Sequence, residues 1–568
     1  MLQQGMAHHR EGRLAEAAEC YRRVPPSDPE YENARYQLGV IAHQQGRLEE
    51  AITAYRRALA IQPEFVDGQS NLGNALQEMG RFDEALVAYR AALAVDPGRA
   101  QIWYTAGCAE SARKHYVAAV ACFRHVLAIA PEWHEAQHNL AQALFNLGQV
   151  DEALALFRRA AEGPRASLPR SMIAVVIPGS PTSDNQAILD ARTSFADRDL
   201  PSARSVVHAR HPRLRVGYLS SFFHRHNWMK PVWGLMHQHD RAKLDVHLFS
   251  DAPLSAIQHG YTRHSDDHYH DISASPNDVV ADLIARQEID VLVDLNGYSA
   301  MRRLPIAALK PAPVLIGWFN MFATTGLRSY DVLIGDSEVV PPEEERFYTE
   351  RILRVPGSYL TFEVGYPVPD VGERPDGPIT FGCLAPLYKI TPEVIAVWRR
   401  ILNEVPDSRI ILKAAAFGGE DERRFVRDQF GPDHIAPERV RIEGPSDHHD
   451  FLKTYDQIDI ALDTFPYNGG TTTTEAIWQG VPVVTYWGDR WVARTSASIL
   501  RAGGLGEFVR RDVDDYVACA VEWSRQPDKL RELRATMRER LSRSPVCDTR
   551  GFARHMEQLY FEHSPIRS

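Results

Sequence analysis

The stretch DTFPYNGGTTTTEAIWQGVPVVT, from Asp463 to Thr485, concentrates residues suited to holding an anion. The apolar IDIALDT reads as a buried strand, FPYNGG as a loop, and TTTTEAIWQG as a helix start closed by Gly480. Gly469 and Gly470 permit close approach of the backbone to a ligand. Thr471, Thr472, Thr473 and Thr474 offer N-cap hydroxyls, and the first N–H groups of the helix are free to meet a phosphate. The helix dipole contributes only about 0.3–1 kcal/mol, so a cation should assist. Capping alone needs one Ser or Thr and no glycine pair. The surplus of both predicts a phosphate site.

Such a turn needs a strand before it and a helix after it, and the chain supplies both repeatedly. From Arg213 onward, LRVGYLSS, LDVHLFS, IDVLVDLNG, PVLIGWF and YDVLIGD read as buried parallel strands alternating with helical patterns. A second set, ITFGCL, SRIILKA, RVRIEG, IDIALDT and VPVVTY, follows Pro378. Between them, VPGSYLTFEVGYPVPDVGERPDGP (355–378) breaks both periodicities and reads as an interdomain crossing. The expected architecture is two doubly wound, Rossmann-like domains, 213–377 (with the crossing) and 378–568, with ligand at the carboxyl ends of the strands. The helical RGFARHMEQLYFEH (550–563) could return to brace the first of them. No strand is followed by G-x-G-x-x-G and there is no Walker A sequence, which weighs against dehydrogenase and P-loop readings.

The N-terminal part has another grammar. Pro29, Pro63, Pro97 and Pro131 recur every 34 residues, as do Gly12, Gly46 and Gly80, with Lys114 in the next place and Gly148 after it. The pattern resembles the tetratricopeptide repeat. It predicts an α-helical superhelix over 1–163 whose concave groove takes an extended peptide or a partner and does no chemistry itself. HEAQH (134–138) fits a zinc motif, but its repeat position marks a helix entry and no third ligand is apparent. Residues 164–212 read as a packed connector with one helical stretch, its MIAVVI being too apolar for disorder.

Composition narrows the classes. A chain of 568 residues holds several domains, and a net charge of −10 argues against a nucleic-acid partner. Six scattered cysteines, no apolar leader and no long apolar run predict reduced thiols, no membrane partner and a cytoplasmic setting. HSDDHYHD (264–271) has metal-like composition but reads as a solvated loop, and DVD (512–514) as a helix cap, so no metal or other cofactor is expected.

With the tetratricopeptide repeats and two α/β halves, RVGYLSSFFHRH, DLNGYS, CLAPLYKITP, ALDTFPYNGGTTTTEAIWQGVPVVT and SPVCDTRGFARHMEQLY resemble the O-linked N-acetylglucosamine transferase family over nearly the whole chain. The resemblance implies a GT-B fold and an inverting, metal-independent enzyme. It would move N-acetylglucosamine from UDP-GlcNAc to Ser/Thr hydroxyls of an acceptor protein or peptide. The acceptor would be fed by the repeat groove into the interdomain cleft. By motif, Lys389 resembles the lysine that contacts the UDP diphosphate, and Tyr388 supports its loop. His226 resembles the active-site histidine, a general base or a positioner of the sugar, with His224 its local competitor. Asn468, Gly469, Gly470, Thr471, Thr472 and Thr473 resemble the pyrophosphate turn. Glu475 takes the place of an acid that reaches the ribose. Ser446, His448, Phe451 and Lys453 lie in a segment resembling the uridine-recognising one.

The chain departs from animal relatives at Gly470, Pro386 and Phe222, where those have histidine, glutamine and an acid, and it lacks their long insertion between the catalytic halves. These departures bear on the sugar and the acceptor. A GDP-fucose or UDP-glucose donor, or an inactive peptide-binding scaffold, are the competing readings.

Overall fold

The computed structural model describes residues 1–206, 211–431 and 434–564. The expected connector at 207–210 and the end of the second catalytic domain at 565–568 lie outside the described residues. Two compact units form: Met1–Leu147 with Gly419–Glu422, and Gly148–Gly418 with Arg423–Ser568.

The first unit is a run of helix pairs, among them Tyr31–Gln44 with Leu48–Leu59, Val66–Glu78 with Phe82–Val95, and Ala100–Ala112 with Tyr116–Ile129. The repeat explains itself in contacts. Gly39, Gly73 and Gly107 seat Tyr55, Tyr89 and Phe123, and a Cβ at each glycine would come within 2.5, 2.4 and 2.7 Å of the ring. Only glycine lets these helices approach so closely. The turn glycines Gly12, Gly46, Gly80 and Gly148 all have φ between 71° and 78°, and Lys114 takes the same left-handed conformation at 64°. His134 opens the helix His134–Asn146, as its repeat position requires.

The second unit begins with the helix Val150–Ala160. Where one helical stretch is expected in the connector there are two, Ser167–Val176 and Asn185–Asp199; MIAVVI lies within the first and runs into the short turn Ile177–Gly179. Buried Arg192 packs the connector against its neighbours, donating to the Ala174 carbonyl at 3.0 Å and the Thr324 carbonyl at 2.6 Å.

Two parallel sheets follow. The first holds β1 (Leu214–Ser220), β2 (Leu244–Ser250), β3 (His268–Asp271), β4 (Val291–Asp294), β5 (Val314–Gly317), β6 (Val332–Gly335) and β7 (Arg351–Arg354), in the order β3-β2-β1-β4-β5-β6-β7. The second holds β8 (Thr380–Cys383), β9 (Arg409–Lys413), β10 (Val440–Glu443), β11 (Ile460–Leu462), β12 (Val483–Tyr486) and β13 (Val509–Arg510), in the order β10-β9-β8-β11-β12-β13. Strand order reverses between β1 and β4 in one sheet and between β8 and β11 in the other. A doubly wound sheet opens a crevice at such switch points.

The loop expected at 264–271 is corrected by β3. His268–Asp271 pairs with β2 in register His247↔His268 and Phe249↔His270. Its polar composition suits an edge strand, which need bury only one side. The DVD segment caps as expected: the Asp512 carboxylate accepts from the Asp515 N–H at 2.7 Å. The helix Thr549–His563 does return to the first sheet, with Tyr560 Oη 3.0 Å from Tyr218 Oη and Glu557 Oε1 2.9 Å from His239 Nδ1.

Candidate active site

Lys389 and the glycine–threonine turn meet because β8 and β11 are neighbours. Lys389 ends the short turn Leu387–Lys389 after β8, and residues 463–470 form the loop after β11. Both leave carboxyl ends at the switch point of the second sheet. Lys389 Nζ donates to the Asn468 carbonyl at 2.7 Å and stands 3.9 Å from the centre of the Tyr467 ring. Burial pulls the ammonium down to about 8, against the opposing pull of Asp463. Tyr388 packs edge-on to Tyr467, ring centres 6.0 Å apart.

Asp463, which the motif reading passed over, shapes the loop. Its Oδ1 accepts from the Gly469 N–H at 2.8 Å and its Oδ2 from Thr485 Oγ1 at 2.7 Å. The acid at the end of an apolar strand, six residues before the glycine, was the available signal. Gly469 is required by space, since a Cβ there would lie 2.5 Å from Thr473 Oγ1 and 2.7 Å from Thr472 Oγ1.

The helix Thr471–Trp478 starts differently from the expected threonine cap. Gly470 is its N-cap, with no side-chain cap. Thr473 Oγ1 is spent on Ser496 Oγ at 2.7 Å and Thr474 Oγ1 on the Thr471 carbonyl at 2.7 Å. The Gly469 and Asn468 amides are also used, the latter on the Val492 carbonyl. Among the described residues the N–H groups of Gly470, Thr471, Thr472 and Thr473 have no acceptor. They are the orphan donors of a helix start, aligned with its positive end.

On the other side of the crevice, His226 follows β1. Asn296, in the DLNGYS loop after β4, accepts from the Ser221 N–H at 2.7 Å and so fixes the start of the His226 loop. The His226 ring lies 4.7 Å from Tyr366 and 5.7 Å from His448. Burial, with His448, His259 and Lys230, holds its imidazole below the ordinary histidine value, and His224 nearby is exposed. His448 opens the short helix His448–Lys453, where its spacing from Phe451 puts the two rings on one face, 6.1 Å apart and stacked. Burial brings the His448 imidazole down to about 4.

Lys230 was not singled out in the sequence, yet it ties the two halves together. It is buried, and Nζ donates to Glu475 Oε1 at 3.1 Å and to Tyr366 Oη at 3.1 Å. Burial works against its charge, but Glu475 and Tyr366 outweigh it and hold the ammonium above the ordinary lysine value. Glu475, placed at the ribose by the resemblance, is buried against Lys230, and burial pushes its carboxyl up. Tyr366 comes from the 355–378 crossing, so the crossing supplies a site side chain as well as a connection. Ser446 and Lys453 are exposed, Ser446 Oγ donating to the Asp447 carbonyl at 3.1 Å. The structure therefore gathers Lys389, the turn, His226, His448, Phe451 and Glu475, and leaves Ser446 and Lys453 at the rim.

A pocket is lined by Gly470, Thr471 and Thr474 from the second half and by Lys230, Phe319 and Leu360 from the first half and the crossing. Two doubly wound sheets, with a lysine-assisted helix start on one side and a histidine on the other, define a two-domain fold of the GT-B type, which follows an N-terminal helical repeat in the chain. The chain belongs to glycosyl transferase family 41, whose model matches residues 196–366 and 370–556. Tetratricopeptide repeat models match 66–99 and 111–169, and a TPR repeat model matches 41–80.

The chain is 34% identical over 361 residues to the probable UDP-N-acetylglucosamine–peptide N-acetylglucosaminyltransferase SPINDLY of Petunia hybrida, covering 61% of this chain and 38% of that protein. It is 28% identical over 366 residues to the protein SEC of Arabidopsis thaliana, likewise named a probable UDP-N-acetylglucosamine–peptide N-acetylglucosaminyltransferase, covering 62% of this chain and 37% of that protein. The matches thus span about two-fifths of the length of these curated relatives. Among solved structures, a mutant of the Thermobaculum terrenum O-GlcNAc transferase matches with 29% identity and a TM-score of 0.70, over 95% of this chain and 98% of that one.

Proposed function

We propose that this protein is an inverting, metal-independent glycosyltransferase that moves N-acetylglucosamine from UDP-GlcNAc to Ser/Thr hydroxyls of proteins or peptides. The observation that carries the proposal is the conjunction of the Lys389 ammonium with four acceptor-free amides, Gly470 to Thr473, at one switch point. Ammonium and amides together suit a diphosphate, and fixed donors of this kind stabilise charge growing on a leaving group without reorganising. In the proposed step the acceptor oxygen bonds to the anomeric carbon from the face opposite UDP. The anomeric carbon–phosphate oxygen bond breaks, UDP carries away the electron pair beside Lys389, and the acceptor proton passes to a base or to solvent. His226, held neutral near pH 7, is available to accept that proton or to position the sugar. His448 and Phe451 offer a stacked face for the base of the nucleotide. The tetratricopeptide repeats would present the acceptor protein.

The experiment is mass spectrometry of a peptide library incubated separately with UDP-GlcNAc, UDP-glucose and GDP-fucose. A gain of N-acetylhexosamine on Ser or Thr, undiminished by EDTA, is the expected result. Transfer from another donor alone replaces the sugar in the proposal. No transfer, with no UDP binding by calorimetry, replaces the enzyme with a scaffold.

A further inference from the structure

The segment with metal-like composition is part of a cluster on one face of the first sheet. Asp245 and His247 alternate on β2, so both side chains point to the same face. His268 on β3 stands directly opposite His247 in the parallel register, and His270 opposite Phe249. One ligand atom each from Asp245, His247 and His268 lies within 4.8 Å of the others. His247 Nε2 is 3.7 Å from Asp245 Oδ2, and His268 Nε2 is 3.1 Å from Asp245 Oδ1.

Two details distinguish this from an ordinary polar patch. His247 is 3% exposed, yet its Nε2 has no hydrogen-bond partner, and neither has the buried Asp245 Oδ1. His268 Nε2 stands 3.1 Å from Oδ1 without a hydrogen bond between them. Buried polar atoms left in this condition are costly to fold around. The second detail is behind the imidazole: His247 Nδ1 is held by His270 Nε2 at 3.1 Å. A ligating histidine characteristically has its other ring nitrogen fixed in this way.

The nearby arginines do not account for the carboxylate. Arg213 and Arg215 approach Asp245 only to 3.8 and 3.6 Å. Their guanidinium groups donate instead to the Arg241 and Gln287 carbonyls, each at 3.0 Å. His268 is the adjustable member. Its side chain is 51% exposed, and its ring stacks at 23° on His247 with the ring centres 4.4 Å apart.

We propose that Asp245, His247 and His268 form a site for a divalent transition metal ion of the zinc class, with water completing the coordination. Two imidazoles and one carboxylate, with a fourth position left to water, are a donor set such ions accept. Asp245 is the second residue of β2 and His268 the first of β3, whereas the nucleotide-type site uses carboxyl ends of strands, so the ion stands apart from that site. It fastens the edge strand β3 to β2.

The test uses the full chain, stripped with EDTA and exchanged into chelator-free buffer. Zn²⁺ is followed by calorimetry and thermal unfolding, and Co²⁺ by its visible absorption. The wild-type chain should bind Zn²⁺ with a rise in Tm, and Co²⁺ should give the intense band of a low-coordinate site. The double variant Asp245→Asn/His268→Gln should bind at least about tenfold more weakly and lose the band and the Tm rise. His268→Gln alone, at an exposed position, should fold as the wild type does and lose the Co²⁺ band. A wild-type chain that binds no zinc overturns the proposal, as does a double variant of unchanged affinity and spectrum. Glycosyl transfer is not the readout, so this result stands apart from the donor assignment.

Discussion

Lys230 Nζ and Glu475 Oε1 meet at 3.1 Å with only 3% and 4% of their side chains exposed. One comes from the helix after β1 and the other from the helix after β11, so a buried ion pair joins the two sheets directly at the site. Burying a charge is tolerable only while its partner remains. Lys230→Met should therefore lower unfolding free energy by about 3–5 kcal/mol, read by urea denaturation. The double variant Lys230→Met/Glu475→Leu should recover most of that loss. Equal losses in the single and double variants would show that the pair is not coupled.

Lys389 is expected to matter far more for rate than for folding. Replacing it by alanine should reduce kcat by roughly a hundred- to a thousandfold, and weaken UDP binding measured by calorimetry. The lost bond to the Asn468 carbonyl should cost about 1.5–3 kcal/mol of stability, offset in part because the ammonium's own burial cost goes with it. Full turnover in Lys389→Ala would remove this lysine from the mechanism.

The pH profile of kcat/KM should be bell-shaped, because it reports the free enzyme. Lys389 must carry its proton, so the basic limb should fall as pH rises through about 8. His226 must be without its proton to act as a base, and its value is lowered, so the acid limb should fall only below the ordinary histidine range. The Lys389→Ala variant should lose the basic limb and His226→Asn the acid one. A profile unaltered in both variants would contradict these assignments.

The two adjacent glycines should respond differently. At Gly469 an added methyl meets Thr473 Oγ1 at 2.5 Å, whereas at Gly470 the nearest atom is Thr495 Cγ2 at 3.5 Å. Gly469→Ala should cost about 1–3 kcal/mol and weaken nucleotide binding by displacing the turn. Gly470→Ala should leave stability within about 0.5 kcal/mol. Thermal unfolding with and without UDP separates the two.

Much of this arrangement could be read from the chain because buried strands announce themselves. LRVGYLSS and SRIILKA are apolar runs that fit nothing else as well, and the repeat of Gly39, Gly73 and Gly107 fixes the helix pairs. What escaped were three of the four edge strands. HYHD in β3 and RILR in β7 carry charge or imidazole because an edge strand faces solvent, and β13 contributes only Val509 and Arg510. Lys389 was legible through the motif around it. Lys230 was not: a lysine in NWMKPVWG becomes meaningful only when folding brings it to Glu475, 245 residues later. The threonine run was read correctly as a helix start but assigned the wrong cap, because its hydroxyls find Ser496 and the Thr471 carbonyl.

The helix Thr549–His563 follows the second sheet in the chain but packs on the first, through Tyr560 to Tyr218 and Glu557 to His239. During synthesis the N-terminal catalytic lobe must therefore wait, with Tyr218 and His239 uncovered, until the ribosome has delivered the other lobe entire. The two lobes are not beads made in sequence. They are fastened by a clasp translated after both, and a chain halted before residue 549 would leave its earlier lobe unfinished.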